Sequence, residues 1–397
     1  MPRLPPFSPR LSGLPVTPTS RRVSHVRPLL EQAKRQKPYR PEAVPRPPVL
    51  GLKVAATSDG EREKTAGLGA RVRFLGCRAS YPDSPERVES IETHFSWVFV
   101  TDFWAYKLKK PVCGEGFDFR TVEQRRGNAE SELRLNRRLS PGVYAGIIAL
   151  TLEPGGGLAI GGGGVPVDWL VKMVRLLPEQ MLHDRLVRGN WRYAEIEALA
   201  HRLASFYATA RLVRGDRLQQ IHRLRAELRA CFSAFDPIDG LLVRGRRAVR
   251  ALNAYMARHH DFLVRRFGDR RLVEGHGDLR PEHVYLGGAP KIIDCLEFRA
   301  DLRRLDPIEE LAYLGMECGR LGGSGIEQRL FRRYRQRTGD VPAPDLVRFH
   351  KALSALIRAR IALAHIAEPG SYAPEELRRR STLYLAIAAD QAGHLGR

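Results

Sequence analysis

Apolar residues cluster in three short stretches in the first third of the chain. Residues 88–96, 97–101 and 104–109 are rich in β-branched and aromatic side chains, with a turn at Asp102 between the last two, and this pattern predicts strands. Residues 121–139 predict a helix, because Leu133, Leu135 and Leu139 recur among many charges. Strands are expected again at 144–152 and 167–176, joined by the glycine-rich run 155–164. After Pro178 the pattern turns helical. Ile196, Leu199, Ala200, Leu203 and Tyr207 follow the spacing of one buried helix face, and Leu218, Ile221, Leu224 and Leu228 repeat it. Leu252, Tyr255, Met256 and Leu263 suggest a third helix, and 346–366 and 375–392 two more. One β segment interrupts the helices: residues 284–286, a Gly-Gly-Ala-Pro turn and 291–294 read as a tight hairpin.

The predicted fold class is therefore α+β in two lobes. A β-rich first lobe spans residues 69–177 and a mainly helical second lobe spans 178–397. Residues 1–68 fit neither. Twelve of the 27 prolines fall in the first 50 residues, with Phe7 and Tyr39 the only aromatics there, so this stretch cannot bury enough surface to offset its ordering entropy. A disordered Pro/Arg-rich tail is expected, serving as a dispensable extension, a nonspecific basic arm or a targeting signal. A start placed too far upstream would look the same. Prolines at 2, 5, 6, 9, 15 and 18 would break the amphipathic helix of a transit peptide.

The 397 residues carry 66 Lys+Arg against 44 Asp+Glu, a net charge of +22. Such a surface attracts phosphates and acidic metabolites and repels polycations. No apolar run is long enough to cross a bilayer, so no membrane partner is expected. Five scattered cysteines form no CxxC pair, which argues against a disulfide framework and for buried thiols in a reducing, cytoplasmic setting. Lysine is scarce, with 10 residues, which makes the cluster Lys107, Lys109 and Lys110 conspicuous.

The chemistry concentrates in His276-Gly-Asp-Leu-Arg-Pro-Glu-His283, followed after the hairpin by Ile292-Ile-Asp-Cys-Leu-Glu297. An acid on a loop before a hairpin and another at the hairpin's far end can meet in space. Two such acids can hold a metal and orient a hydroxyl, as phosphoryl transfer requires.

The octapeptide resembles the catalytic loop of the protein-kinase-like superfamily, and its His-Gly-Asp form is similar to that of the aminoglycoside phosphotransferase family. The resemblance extends over residues 70–390. It is strongest to the uncharacterised bacterial branch of that family, through Ile91-Glu-Thr-His-Phe-Ser-Trp-Val-Phe, Ala105-Tyr-Lys-Leu-Lys-Lys-Pro-Val, Leu133-Arg-Leu-Asn-Arg-Arg-Leu and Asp306-Pro-Ile-Glu-Glu-Leu-Ala. It implies a bilobal protein-kinase-like fold, with Asp278 as the catalytic base and Asp294 as a metal ligand. Arg280 would stabilise the transferred phosphoryl charge. His283 stands where most kinases place an Asn that binds a second Mg²⁺, so it implies altered metal handling, as a ligand or as a structural hydrogen-bonding group. Lys107 would grip the α and β phosphates, with Lys109, on the same face, as its competitor. Glu132 would hold that lysine, with Glu130 as the alternative. Thr93 and Ser96 occupy the place of the phosphate-covering turn. Lys172 and Met173 fall where a linker between lobes would present backbone groups to adenine. Asp306 reads as a helix N-cap, and Glu297 as a possible aid to the metal.

The implied activity is transfer of the γ-phosphate of ATP, with Mg²⁺ or Mn²⁺, to a hydroxyl of a small-molecule acceptor. The alternative is a nucleotide-binding pseudokinase or regulatory module whose His283 marks lost turnover. No RNA or DNA motif is present, so nucleic-acid contact is confined to nonspecific contact through the basic tail.

Overall fold

The computed structural model describes residues 53–54, 66–114, 116–213, 217–235, 240–268, 271–366 and 374–396. Apart from Lys53–Val54 and residues 66–68, the stretch expected as a tail lies outside the described residues.

The strand stretches of the first half form a six-stranded antiparallel sheet. Strand β1 (Lys53–Val54) lies apart from it, pairing with β5 (Val112–Gly114), which pairs in turn with β6 (Phe117–Asp118). The main sheet contains β2 (Glu89–Glu92), β3 (Ser96–Val100), β4 (Trp104–Lys109), β7 (Tyr144–Leu152), β8 (Leu158–Ile160) and β9 (Val165–Val174) in the order β2-β3-β4-β9-β7-β8. The glycine-rich run is thus not a plain connection. It holds strand β8, paired to β7 at the sheet edge away from β4.

Alternation divides this sheet into two faces. Tyr106, Leu108 and Leu170 pack with Phe99, Leu150 and Leu75 on one side. Lys107 and Lys109 therefore share the other side with Val171. Helix α1 (Leu68–Leu75) covers the first face. Helix α2 (Val122–Arg137) covers the second, packing Ala129 and Leu133 against Val143, Tyr144 and Val171. It starts at a capping box in which Thr121 and Gln124 satisfy each other's backbone N–H. Asp168, fully buried in β9, accepts hydrogen bonds from Arg71 of α1 and Arg125 of α2, which ties both helices to the sheet.

The second half is helical: α3 (Leu182–Val187), α4 (Tyr193–Thr209), α5 (Arg217–Ala234), α6 (Gly240–Arg258), α7 (His260–Gly268), α8 (Ala300–Arg303), α9 (Pro307–Arg320), α10 (Ile326–Thr338), α11 (Pro344–Ile366) and α12 (Pro374–Ala392). The expected face of α4 is buried throughout, from Ile196 to Tyr207. On α5 the match fails at Leu218, which lies in the first turn and faces solvent while Ile221, Leu224 and Leu228 are buried. The stripe from Leu252 to Leu263 spans two helices, α6 and α7. Among the cysteines Cys231, Cys295 and Cys318 are buried as expected, whereas Cys77 is exposed. No helix among the described residues is long and apolar enough to cross a membrane.

Two short strand pairings and two isolated bridges cross this helical body. β10 (Val273–Glu274) pairs with β13 (Arg304–Leu305), and β11 (Val284–Tyr285) with β12 (Lys291–Ile292). Isolated bridges join Leu212 to Val273 and Met181 to Tyr285. They fix both ends of the loop from Gly275 to His283.

Candidate active site

The loop after β10 is held by its backbone. The buried carboxylate of Glu310, in the first turn of α9, accepts hydrogen bonds from the N–H groups of His276, at 2.8 Å, and Gly277, while the Tyr207 hydroxyl donates to its other oxygen at 2.7 Å. Burial pushes the Glu310 pKa up, against the pull of these three donors. Arg138, at the end of α2, donates to the carbonyls of Glu274 and Gly275 at 2.7 and 2.8 Å. At Gly277 φ is +91°, and a Cβ there would lie 2.9 Å from Leu296 Cβ, so the turn requires glycine. His276 is fully buried. Its Nε2–H donates to the Ile293 carbonyl at 2.9 Å and its Nδ1 accepts from the Asp278 N–H at 3.3 Å. Burial, with nearby His283, lowers its pKa to about 4, so the ring is neutral.

Asp294 ends the hairpin with φ of 60°, a left-handed conformation that Asp tolerates better than most residues. Its N–H donates to the Tyr144 hydroxyl at 3.1 Å, and the next N–H, of Cys295, donates to Asn136 Oδ1 at 2.9 Å. Tyr144 comes from β7 and Asn136 from α2, so the first lobe sets the backbone on which Asp294 stands.

The expected residues converge here. Lys107 Nζ lies 2.7 Å from Asp294 Oδ1 and 2.9 Å from Glu132 Oε1. Lys109 lies 2.5 Å from the other Glu132 oxygen and forms a second, very short pair with Glu297. The five side chains make one unbroken run of alternating charge, Asp294–Lys107–Glu132–Lys109–Glu297. Glu132 is fully buried, whereas Glu130 is exposed and pairs with Arg126, so Glu132 is the acid that meets the lysines. Burial opposes the charge on Lys107, but Asp294 and Glu132 outweigh it and hold its pKa well above the usual lysine value. The Asp294 carboxyl, which burial alone would raise, is held well below the usual range by Lys107 and His283. Glu297 is pushed up by burial and by Glu132, against the pull of Lys109.

On the other side of Asp294 stands His283. Its Nδ1–H donates to the Asp278 backbone carbonyl at 2.8 Å, while Nε2 lies 3.5 Å from Asp294 Oδ2 and 3.3 Å from an Arg280 nitrogen. Arg280 Nε is 3.2 Å from Asp278 Oδ2. Burial would raise the Asp278 pKa, yet Arg280, His283 and Arg358 lower it overall. Both carboxylates keep access to the cleft, with side-chain exposures of 32% for Asp278 and 46% for Asp294.

Three expected ligand-binding groups stand differently. Thr93 and Ser96 do form the turn between β2 and β3, but the Thr93 hydroxyl is spent on the Ser96 backbone, accepting from its N–H at 3.0 Å and donating to its carbonyl at 2.9 Å, and the Ser96 hydroxyl is buried without a hydrogen-bond partner. Met173 lies inside β9, paired with Ala105 and Tyr144, and not on a linker. Its backbone is taken up by the sheet, and its side chain joins the apolar layer of Tyr144, Val171 and Ile293. Lys172 faces the opposite side, over the Trp104 ring at 4.0 Å. Asp306 caps α9 by accepting from the Ile308 N–H at 3.0 Å, and Arg266 binds it from α7. A groove of about 320 Å³ beside Leu68, Val72, Trp97 and Pro111 contains none of Lys107, Lys109, Asp278 and Asp294.

Among the described residues, no three His, Cys, Asp or Glu side chains form a ready metal cage. Mg²⁺ does not need one, since it commonly takes one or two carboxylates and completes its shell with water and phosphate oxygens. The cleft-facing carboxylate of Asp294 fits that use. His283 has one ring nitrogen, Nε2, not committed to a backbone carbonyl.

A curled antiparallel sheet with a lysine on its third main strand, a helical body carrying two acids, and a cleft where they meet define the bilobal protein-kinase-like α+β fold. No protein-family model matches the chain. Curated relatives in Mycobacterium tuberculosis H37Rv and Mycobacterium bovis, both described as uncharacterised, are 30% identical over 286 residues. The match covers 70% of this chain and 55% of theirs, so the chain spans about half the length of these relatives. Solved structures of similar shape include a choline/ethanolamine kinase family protein from Mesorhizobium loti, with 14% identity, a TM-score of 0.46, and 81% of this chain and 98% of that one covered. Choline kinase from Cryptosporidium parvum gives 13%, 0.48, 81% and 95%. An aminoglycoside phosphotransferase from Alicyclobacillus acidocaldarius gives 12%, 0.37, 80% and 95%.

Proposed function

We propose that the protein is a phosphotransferase that moves the γ-phosphoryl group of ATP to a hydroxyl of a small molecule. The observation that carries this is the meeting of Lys107, from the sheet, with Asp294, from the helical body, at 2.7 Å, with Asp278 beyond His283 on the same cleft. Lys107 supplies a fixed ammonium for the donor's phosphates, and Glu132 prevents it from swinging away. Asp278, kept ionised by Arg280, accepts the proton of the attacking hydroxyl. Arg280 offers a guanidinium beside the same oxygen, where negative charge spreads in the transition state. Asp294, with His283 Nε2 beside it, would hold Mg²⁺. That ion, when bound, neutralises phosphate charge and orients the transferred group.

Titration of ATP and Mg²⁺ or Mn²⁺ into the protein, followed by melting temperature, tests donor binding. ADP release across an acceptor panel, for the wild type and Asp278→Asn, tests turnover. A loss of about 100-fold or more in Asp278→Asn with unchanged ATP binding is expected. A second reading, a nucleotide-binding regulatory module, is favoured by one contact: His283 spends Nδ1 on the loop backbone and keeps a single nitrogen for a metal. ATP binding without any Asp278-dependent turnover would select it.

A further inference from the structure

We infer that Tyr144 of β7 and Asn136 of α2 are positioning residues that make the metal-holding pose of Asp294 depend on contact between the two lobes. This rests on the phosphotransferase reading, in which Asp294 holds Mg²⁺, and adds to it a control of that site.

The backbone N–H groups from Ile293 to Leu296 divide between the lobes. The outer two are satisfied within the helical body, where Ile293 donates to the His283 carbonyl at 2.9 Å and Leu296 to the His276 carbonyl at 3.0 Å. The inner two leave it. Asp294 donates to the Tyr144 hydroxyl at 3.1 Å and Cys295 to Asn136 Oδ1 at 2.9 Å. Both acceptors belong to the first lobe, and both are buried there. Tyr144 packs with Ala129, Val143 and Val171, while Asn136 Nδ2 donates to the Glu132 carbonyl at 2.9 Å. Arg137 Nε donates to the Tyr144 carbonyl at 3.0 Å, so strand and helix present the two acceptors as one unit.

What they hold is a backbone that would not hold itself. A φ of 60° is a conformation that Asp tolerates but does not prefer, and it persists where the surroundings fix it. In this pose one carboxylate oxygen meets Lys107 at 2.7 Å and the other lies 3.5 Å from His283 Nε2. If the lobes part, the 294 and 295 N–H groups lose their acceptors together. The residue is then free to return to extended backbone, and its carboxylate turns away from both neighbours. The Asp278 loop differs, since Glu310 of its own lobe holds the His276 and Gly277 N–H groups. Metal binding at Asp294 and contact between the lobes therefore favour each other.

Tyr144→Phe removes one acceptor and keeps the ring. Tyr334→Phe is the control, because that buried hydroxyl also makes a hydrogen bond, to Asp340 at 2.9 Å, but within the helical body. Hydrogen exchange of the full chain without metal, followed at the Asp294 amide, should be about tenfold faster in Tyr144→Phe and unchanged in Tyr334→Phe. Mn²⁺ titration followed by paramagnetic resonance, with a non-hydrolysable analogue of ATP present, should show Mn²⁺ held about five- to tenfold more weakly in Tyr144→Phe alone. Analogue binding with a chelator in place of the metal should be the same in all three proteins. If circular dichroism shows that Tyr144→Phe does not fold, Asn136→Leu, similar in size and without the acceptor, takes its place with the Cys295 amide as reporter and the same changes expected. The inference is overturned if amide exchange ignores the substitution, if Mn²⁺ binds the variant as it binds the wild type, if Tyr334→Phe weakens Mn²⁺ equally, or if metal-free analogue binding weakens as much as Mn²⁺ binding. Failure of both Mn²⁺ and the analogue to bind the wild type, with the exchange response retained, would instead overturn the phosphotransferase reading on which it rests.

Discussion

Lys109 and Glu297 form an ion pair between the sheet and the segment after Asp294, and the same ammonium takes the second oxygen of Glu132. Lys107 thus works at the open end of a run whose closed end is this pair. The two lysines differ in what they leave behind when removed. Lys107→Met frees Asp294, which is half-exposed, and leaves Glu132 held by Lys109, so activity and ATP binding should fall by about 100-fold or more with less change in stability. Lys109→Met strands the buried Glu297 and uncovers one oxygen of Glu132, which keeps Lys107 on the other, and should cost about 3–5 kcal/mol. Urea unfolding of both variants measures the contrast. Equal stability losses would show that the run does not divide in this way.

The glycine turn before Asp278 should resist any side chain. Gly277→Ala brings a Cβ into the left-handed region and within 2.9 Å of Leu296 Cβ and 3.1 Å of Arg303 Cγ. Strain and overpacking together predict a loss of about 2–4 kcal/mol. Glu310→Ala, which strips the acceptor from two buried N–H groups, should cost about 2–5 kcal/mol by the same measurement. A Gly277→Ala variant as stable as the wild type would mean that the turn adopts another conformation.

Acid should weaken the fold through His276. The ring is neutral in the folded state down to about pH 4, whereas the unfolded chain protonates it below about 6.5. The unfolded state then binds more protons, so stability falls as pH drops from about 6.5 to 4, by about 3 kcal/mol for this residue. His365, which burial also lowers to about 4, acts in the same direction. His276→Gln should flatten the slope of urea midpoint against pH between 7 and 4.5. An unchanged slope would assign the effect to other groups.

Turnover should report Arg280 on its acid side. Arg280 is the largest of the influences that lower the Asp278 pKa against burial. With it present, Asp278 stays ionised until pH falls below the usual carboxylate range. Arg280→Gln should move the acid limb of kcat/KM to higher pH, apart from any loss of maximal rate. A limb that keeps its position would exclude Asp278 as the group titrating there.

The lysine and the two acids could be read from the chain because each rests on a local rule. Alternation along 104–109 put Lys107 and Lys109 on one face, Leu135 and Leu139 turned Glu132 inward, and the two acidic motifs bracket a hairpin short enough to bring them together. What could not be read depends on distant partners. Lys109 and Glu297 are 188 residues apart, and nothing near either one announces the other. The resemblance puts Met173 where a linker between lobes would face adenine, but pairing with β4 on one side and β7 on the other keeps its backbone inside the sheet, as the strand predicted over 167–176 allows. Glu310 lay in view next to a recognisable N-cap. Its role at the loop follows only from the pairing of β10 with β13, which lays the loop across the start of α9.

The turn between β2 and β3 carries Phe95, whose ring lies 4.8 Å from that of Phe298 and 5.4 Å from that of Phe117. That turn is thereby clipped to the stretch that follows Asp294 by oil-like contact. Prising that clip open wets benzyl surface, which carries a heat-capacity signature and little response to salt. Ligand exchange through this side should consequently quicken with mild denaturant far more than with ionic strength, the reverse of what so basic a chain would suggest.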